Sequence, residues 1–182
     1  SFEKTIPQRH GYIQNYQTHK ADLVGLGNAV RIAVANPKGT IYEAAYLDAL
    51  RKLSDEVFLI PGVNRVQMKS LWTPSTRWVG VTEDGLEGGA VIPDGYDGST
   101  ASLEKLEANI ARSGEMGQLV ALDAKSSVIF VPLLDKDNDG RPLDYAQFAT
   151  RLEELRSKYE HPLADASRRP SPEGSESPGK AG

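Results

Sequence analysis

Apolar residues recur every three or four positions in three segments of the chain, which is the spacing of an amphipathic helix. The first segment starts at a capping box formed by Thr40 and Glu43, and its apolar stripe consists of Tyr42, Tyr46, Ala49, Leu50, Leu53 and Val57. The second starts after an N-cap at Ser99 or Thr100 and ends near Gly114, with an inward face of Leu103, Leu106 and Ile110. The third runs from about Leu143 to Tyr159, with Phe148, Leu152 and Leu155 facing inward.

Alternating or continuous apolar runs predict strands between these helices. The predicted strands are NAVRIAVA (28–35), VNRVQMKSLW (63–72), TRWVGVT (76–82), GQLVALD (117–123) and SVIFVPLLD (127–135). The first two flank the first helix and therefore predict a βαβ unit, whose crossover is right-handed almost without exception. Trp72–Tyr96 is less regular and Gly-rich, and we interpret it as an insert. The pattern predicts an α/β (α+β) domain of βαβ repeats with this irregular insert.

The two ends of the chain differ from this central part in composition. Residues 1–27 are polar, and Tyr12, Ile13, Tyr16 and His19 recur at the spacing of a short amphipathic helix. Residues 161–182 are rich in Pro, Ser and Gly, with Leu163 as their only large aliphatic residue. Such a composition buries too little apolar surface to offset the entropy of ordering, so we predict a disordered tail. The predicted domain is therefore residues 28–160.

Composition excludes several kinds of chemistry. The net charge is −4, whereas binding along a nucleic-acid backbone needs a basic face. The chain has no cysteine, so disulfides, cysteine metal sites and thiol nucleophiles are excluded. Its histidines, His10, His19 and His161, lack metal-ligand spacing. The sequence indicates no cofactor.

An acidic loop before the third helix resembles half of a calcium-binding loop. Asp135, Asp137 and Asp139 alternate and Gly140 follows, as at the start of an EF-hand loop. Position 12 of that pattern requires a bidentate Glu, and this chain has Ala146 there. We therefore expect no calcium site and interpret the loop as a solvated turn whose Asp side chains accept backbone N–H bonds, with Asp144 at the helix start.

Motifs of covalent catalysis are weak in this sequence. Ser102 and Lys105 form an S-x-x-K sequence, but the K-T-G and S-D-N sequences that accompany it in serine acyl-enzymes are missing. No nucleophile, base and orienting residue converge elsewhere. We expect that the protein is not an enzyme.

The most unusual stretch is SLWTPSTRW, Ser70–Trp78, which contains both tryptophans of the chain. Arg77 lies beside Trp78 and could stack on an aromatic face. Two interpretations remain open. The tryptophans fill the core and cover an edge, or they form an apolar surface for a partner or an amphiphilic ligand. Under the second interpretation the candidate residues for a substrate path or interface are Trp72, Trp78, Met68 and Arg77.

From this stretch outward the sequence resembles a known family. The segment IPGVNRVQMKSLWTPSTRWVGVTEDGLEGGAVIPDGY (60–96) is similar to the resistance–nodulation–division superfamily of proton-driven exporters, in the branch related to the mycobacterial large membrane proteins. The resemblance covers about residues 2–160. It includes HGYIQNYQTH (10–19), GNAVRIAV (27–34), GTIYEAAYLDALRKLSDEV (39–57) and RSGEMGQLVALDAKSSVIFVPLLD (112–135).

The resemblance implies a place in a larger protein. In that family the corresponding region is the first extracytoplasmic loop, between the first and second transmembrane helices, and it folds as porter subdomains of ferredoxin-like type. The implied function is to bind or guide apolar or amphiphilic substrates on the periplasmic side of the bacterial inner membrane. The implied partners are the transmembrane helices and the second porter loop of the exporter, and an apolar or amphiphilic small molecule or lipid. Nucleic acid is not among them, and the oligomeric state, which includes an oligomer as one possibility, is left open. The alternative is a soluble calcium-dependent or protein-interaction module that uses Asp135, Asp137 and Asp139.

Overall fold

A computed structural model of the chain describes residues 13–19, as backbone, and residues 29–160. The predicted tail, 161–182, and most of the N-terminal segment lie outside the described residues. The elements in chain order are β1 (Ile13–His19), β2 (Ala29–Ala35), α1 (Ala44–Phe58), β3 (Arg77–Thr82), β4 (Gly85–Ala90), α2 (Thr100–Ala111), β5 (Ser126–Pro132) and α3 (Tyr145–Glu160). The described part of the chain is a small mixed α/β domain.

The strands form two antiparallel sheets. Within the described residues, β1, β2 and β5 form a three-stranded sheet with β2 in the centre, and β3 pairs with β4 alone in a separate hairpin. Alternate residues of β2 and β5 are buried, as the sequence predicted for the strand over 28–35. The three helices predicted between residues 40 and 159 also form, with small differences at their ends.

All three helices and the larger sheet share one core. α1 contributes Tyr46, Leu47, Leu50, Leu53 and Val57, all at most 1% exposed. The core side chains from the sheet and the other two helices are Val30, Ile32, Val34, Ile129, Val131, Leu106, Ile110, Phe148 and Leu152.

A buried polar contact joins α1 to the sheet inside this core. The Tyr46 hydroxyl donates to the Val34 carbonyl at 2.7 Å and accepts from the Ser127 backbone N–H at 3.1 Å. It also contacts the Ser127 hydroxyl. The contact therefore fixes α1 against two neighbouring strands, β2 and β5.

Two predicted elements of the first half are wrong. Residues 13–19 form strand β1 and not a helix, because the backbone pairs along the open edge of β2, which a short isolated helix cannot match in stability. Residues 63–72 form a coiled segment that meets β5 only at two isolated bridges, Val63 with Leu133 and Lys69 with Phe130. The backbone bonds locally there, since the N–H groups of Gln67 and Met68 both donate to the Asn64 carbonyl, at 3.2 and 3.0 Å. The predicted parallel βαβ unit is therefore absent from the described residues.

Two smaller expectations also need correction. Residues 117–123 pair with β5 through only a few hydrogen bonds and form no strand, since the chain turns back sharply at Ala124, whose φ is +56°. The capping box is half formed. The Glu43 carboxylate accepts the Thr40 N–H at 3.1 Å, but the Thr40 hydroxyl accepts the N–H of Tyr42, and α1 begins only at Ala44.

An ion pair between Lys158 and Glu56 ties α3 to α1. Partial burial of Glu56 opposes its charged form. Hydrogen bonds from Lys158 and Tyr159 and the Lys158 charge outweigh burial and hold the pKa of Glu56 below its usual value. Burial and the nearby Glu56 carboxylate raise the pKa of Tyr159.

This arrangement makes the stability of the α1–α3 contact dependent on pH. A carboxyl whose pKa is lower in the folded state stabilises the fold above its unfolded pKa, and this contribution is lost as the pH falls through the folded pKa. We expect Glu56→Gln to lower the free energy of unfolding by about 1 kcal/mol at about pH 7, since the pair is partly exposed, and by much less at about pH 3. Urea unfolding at both pH values measures the difference.

Glu154→Gln is the matched control for this experiment. Glu154 lies exposed on α3 and makes no ion pair within the described residues. We expect it to change stability little at either pH. A Glu56→Gln effect that is equal at both pH values would contradict the proposed linkage.

Candidate functional site

The predicted Gly-rich insert is an ordered β-hairpin. β3 pairs with β4 from Arg77 opposite Ala90 to Thr82 opposite Gly85, and Glu83 and Asp84 form the two-residue turn. Gly85 has a φ of +125°, which residues with a side chain rarely adopt. The glycines of β4 by themselves do not favour a strand. The hairpin therefore forms because of its two-residue turn and the β-branched residues of β3.

One face of this hairpin is apolar and uncovered. Side chains alternate along a strand, so Arg77, Val79 and Val81 share a face with Leu86 of β4. Val79 is 60% exposed, Val81 85% and Leu86 80%. We call Val79, Val81 and Leu86 the hairpin apolar face. A cluster of this kind is commonly a contact surface.

The opposite face carries Trp78, which is packed against α2. The indole nitrogen lies over Gly89, where an added Cβ would approach it to 3.1 Å. The Arg112 guanidinium lies over the ring at 3.4 Å from its centroid. Trp78 therefore contacts both a glycine and a cation, and it remains partly exposed.

A buried asparagine holds α2 in place for this stacking. The Asn109 amide, 1% exposed, donates to the Val91 carbonyl at 3.0 Å and accepts from Arg112 at 2.8 Å. Asn109 therefore connects the end of β4 to α2 and orients the guanidinium over the indole of Trp78.

Between the hairpin and α2 lies a cleft of about 180 Å³, lined by Trp78, Gly88, Gly89, Ala90, Pro93, Asp94, Lys105, Asn109 and Arg112. None of these side chains is a hydroxyl, thiol or imidazole. The cleft offers one aromatic surface, two cations and one carboxylate, which suit binding of a flat or acidic group better than nucleophilic catalysis.

Trp72 has a different role from Trp78. Its indole N–H donates to the Leu47 carbonyl of α1 at 2.9 Å. Its ring meets Tyr96 edge-to-face at 5.5 Å, and Arg51 lies over it at 5.4 Å. Trp72 therefore packs on the outside of the core and is hydrogen-bonded to α1.

The four residues proposed from the sequence do not form one cluster. Met68 is 3% exposed and belongs to the core. Arg77 is exposed on the hairpin face opposite to Trp78, and Trp72 packs on α1. The hairpin apolar face was not among the predicted site residues. The sequence contained a signal for this face. The valines of V-G-V in β3 lie opposite β4, whose glycines have no side chains to cover them.

The acidic loop is a hydrogen-bonded turn in this structure. The Asp137 carboxylate accepts the backbone N–H of Asp139 and of Arg141, both at 2.9 Å. The Asp144 carboxylate accepts from Ala146 at 3.0 Å and Gln147 at 3.2 Å, at the start of α3. Within residues 29–160 no group of three or more acidic or histidine side chains is arranged to hold a metal ion.

Calcium is therefore expected to leave stability unchanged. Thermal unfolding in millimolar calcium and in chelator should give melting temperatures within about 1 °C, because only a ligand that binds the native state raises them. Magnesium at the same concentration controls for ionic strength. A rise specific to calcium, removed by Asp137→Asn, would show that the loop binds the ion.

Comparison of the chain with family models, curated proteins and solved structures found no match. Within the described residues, none of the helices combines the length and apolar character needed to span a bilayer.

Proposed function

We propose that this chain is an extracytoplasmic porter domain of a resistance–nodulation–division exporter, which contacts apolar or amphiphilic substrates and neighbouring parts of the same exporter. The observation that carries the proposal is the hairpin apolar face, which is uncovered by the described residues. A domain that works alone gains nothing from exposing Val79, Val81 and Leu86 together, whereas a domain within a larger assembly buries such a face or offers it to a ligand.

The sequence resemblance over residues 2–160 supports the same proposal. It includes both the most unusual stretch, Ser70–Trp78, and the hairpin into which this stretch runs. The mixed α/β fold is compatible with a porter domain at the level of class. The finer assignment to a ferredoxin-like porter subdomain rests on the resemblance.

The cleft beside Trp78 gives the proposed substrate contact a chemical character. The Trp78 indole offers an apolar surface, and Lys105 and Arg112 place positive charge beside it. This combination suits an amphiphile whose head group is acidic. The proton-coupling carboxylates of such exporters lie in membrane helices, so the domain would take part in binding and movement and not in proton transfer.

The second candidate function is a protein-interaction module, which the same exposed hairpin face favours. The two functions differ in what must surround the domain in the encoded protein. An exporter requires apolar segments of about 20 residues on both sides of this region, and a free-standing module requires none.

The first test is therefore the sequence of the complete gene. Apolar segments of about 20 residues both before residue 1 and after residue 160 would support the exporter. An encoded protein that lacks them would overturn the proposal.

The second test measures export by the full-length protein in cells, with Nile red as the amphiphilic probe. We expect Val79→Thr, Val81→Thr and Leu86→Thr together to raise dye retention to the level of cells that lack the gene. Val66→Thr is the matched control, since Val66 is 92% exposed but lies away from the hairpin. Equal retention in cells with and without the gene, or no effect of the hairpin substitutions, would contradict the proposal.

A further inference from the structure

The outer edge of β3 is an unpaired strand edge. Val91 donates its N–H to the Thr76 carbonyl at 3.0 Å, one step beyond the end of the β3–β4 register. Backbone groups alternate in an antiparallel ladder, so Thr76, Trp78 and Gly80 direct theirs towards β4. Arg77, Val79 and Val81 therefore direct their N–H and C=O groups away from β4, and no strand of the described chain pairs with them.

This edge has few of the features that protect exposed strands from pairing. Natural edges are usually interrupted by proline, lysine or a bulge, or are covered by another element. Between Trp78 and Thr82 the sequence is WVGVT, which has no charge and no proline, and its pairing with β4 is regular. Its β-branched residues favour a further strand.

We propose that two copies of this chain associate through the outer edges of β3, antiparallel and centred on Gly80, to form a continuous four-stranded sheet. In an antiparallel pair, residues directly opposite each other carry their side chains on the same face of the sheet. In two identical strands related by a two-fold axis, this condition holds only if the axis passes through a residue and not between two residues. A centre at Gly80 sets Val79 opposite Val81 of the second copy and Val81 opposite its Val79. The same register brings Arg77 beside the partner's turn residue Glu83.

The chain is self-complementary in this register. Apolar residues meet apolar residues on one face, and a cation meets an anion at both ends. The small residue Gly80 lies at the symmetry axis, where two side chains would otherwise approach each other. The corresponding edge of β4 is less suitable, because a register centred on Glu87 would set like charges opposite each other.

The association is expected to be weak, because only two six-residue strands meet. A contact of this size suits a dissociation constant on the order of 100 μM. Sedimentation velocity of the 182-residue chain from about 10 μM to about 1 mM measures it. We expect the wild-type chain to pass from monomer to dimer within this range, and a chain that stays monomeric throughout would overturn the proposal.

Charge exchange tests the register. Arg77→Glu sets two glutamates together at both ends of the contact, and Glu83→Arg sets two arginines together. Each single substitution should weaken association at least about tenfold, and the double variant should restore it. Circular dichroism checks that each variant is folded. Failure of the double variant to restore association would overturn the register.

A second pair of variants separates edge pairing from general apolar adhesion. Val81→Lys places a charge at the pairing edge, and Leu86→Lys places the same charge on the same face of the hairpin but on β4. The two positions are almost equally exposed, at 85% and 80%. We expect Val81→Lys to abolish the dimer and Leu86→Lys to change its dissociation constant less than threefold. Equal effects would show that the apolar face and not the edge drives association, and would overturn the proposal.

Discussion

Trp72→Ala is expected to lower the free energy of unfolding by about 3 kcal/mol, and Trp78→Ala by about 1 kcal/mol. The difference follows from what each indole contacts. Trp72 closes the core against α1 through its hydrogen bond to Leu47 and its edge-to-face contact with Tyr96. Trp78 lies on the hairpin and contacts mainly Gly89 and Arg112.

Urea unfolding followed by circular dichroism measures both losses without depending on tryptophan fluorescence, which each substitution changes. Trp72→Phe serves as the control for Trp72, since it keeps an aromatic ring but removes the hydrogen bond to Leu47. It should cost less than Trp72→Ala. If Trp78→Ala costs as much as Trp72→Ala, Trp78 is a core residue and its assignment to a recognition surface fails.

Tyr46→Phe is expected to lower the free energy of unfolding by about 2 kcal/mol, although it removes only one oxygen atom. The Tyr46 hydroxyl is fully buried and bonds to Val34 and to Ser127 on two different strands. Its removal takes one hydrogen bond from the Val34 carbonyl and one from the Ser127 N–H, which lie opposite each other in the β2–β5 ladder, and also the contact with the Ser127 hydroxyl. A hydrogen bond of this kind contributes about 0.5–1.5 kcal/mol.

Tyr42→Phe is the matched control for this substitution. Tyr42 is partly buried, and its hydroxyl makes no hydrogen bond to the described residues. We expect a change of no more than about 0.5 kcal/mol. A Tyr46→Phe effect as small as that of Tyr42→Phe would show that the buried contact does not stabilise the fold.

The candidate site could be predicted from the sequence only in part. The stretch with both tryptophans overlaps the hairpin that carries the exposed face, since its last two residues, Arg77 and Trp78, are the first two of β3. The sequence did not reveal that Met68 lies in the core and that Trp72 packs against it. The identity of an apolar residue does not show whether its side chain faces the interior or the solvent. It also did not reveal Arg112 and Asn109, which lie about 30 residues further along the chain.

The three helices follow from local sequence alone. Helix hydrogen bonds join residues four apart, so the information for α1, α2 and α3 is contained within each segment. The burial of Leu50, Leu53 and Val57 on α1, and of Leu106 and Ile110 on α2, follows the apolar spacing. The N-cap at Ser99 is local in the same way, because its hydroxyl accepts the N–H of Ser102 at 3.2 Å.

The sequence also predicted the segments that became β2, β3 and β5, whereas tertiary contacts settled how the strands pair and whether 13–19, 63–72 and 117–123 become strands. A strand is completed by a partner that lies far away in the sequence, so its local pattern leaves the partner open. Residues 13–19 became β1 because the edge of β2 was available. Residues 63–72 stayed irregular because their backbone bonds locally, with the N–H groups of Gln67 and Met68 donating to the Asn64 carbonyl. The exposure of Val79, Val81 and Leu86 was decided likewise, since β3 pairs with glycine-rich β4 outside the larger sheet.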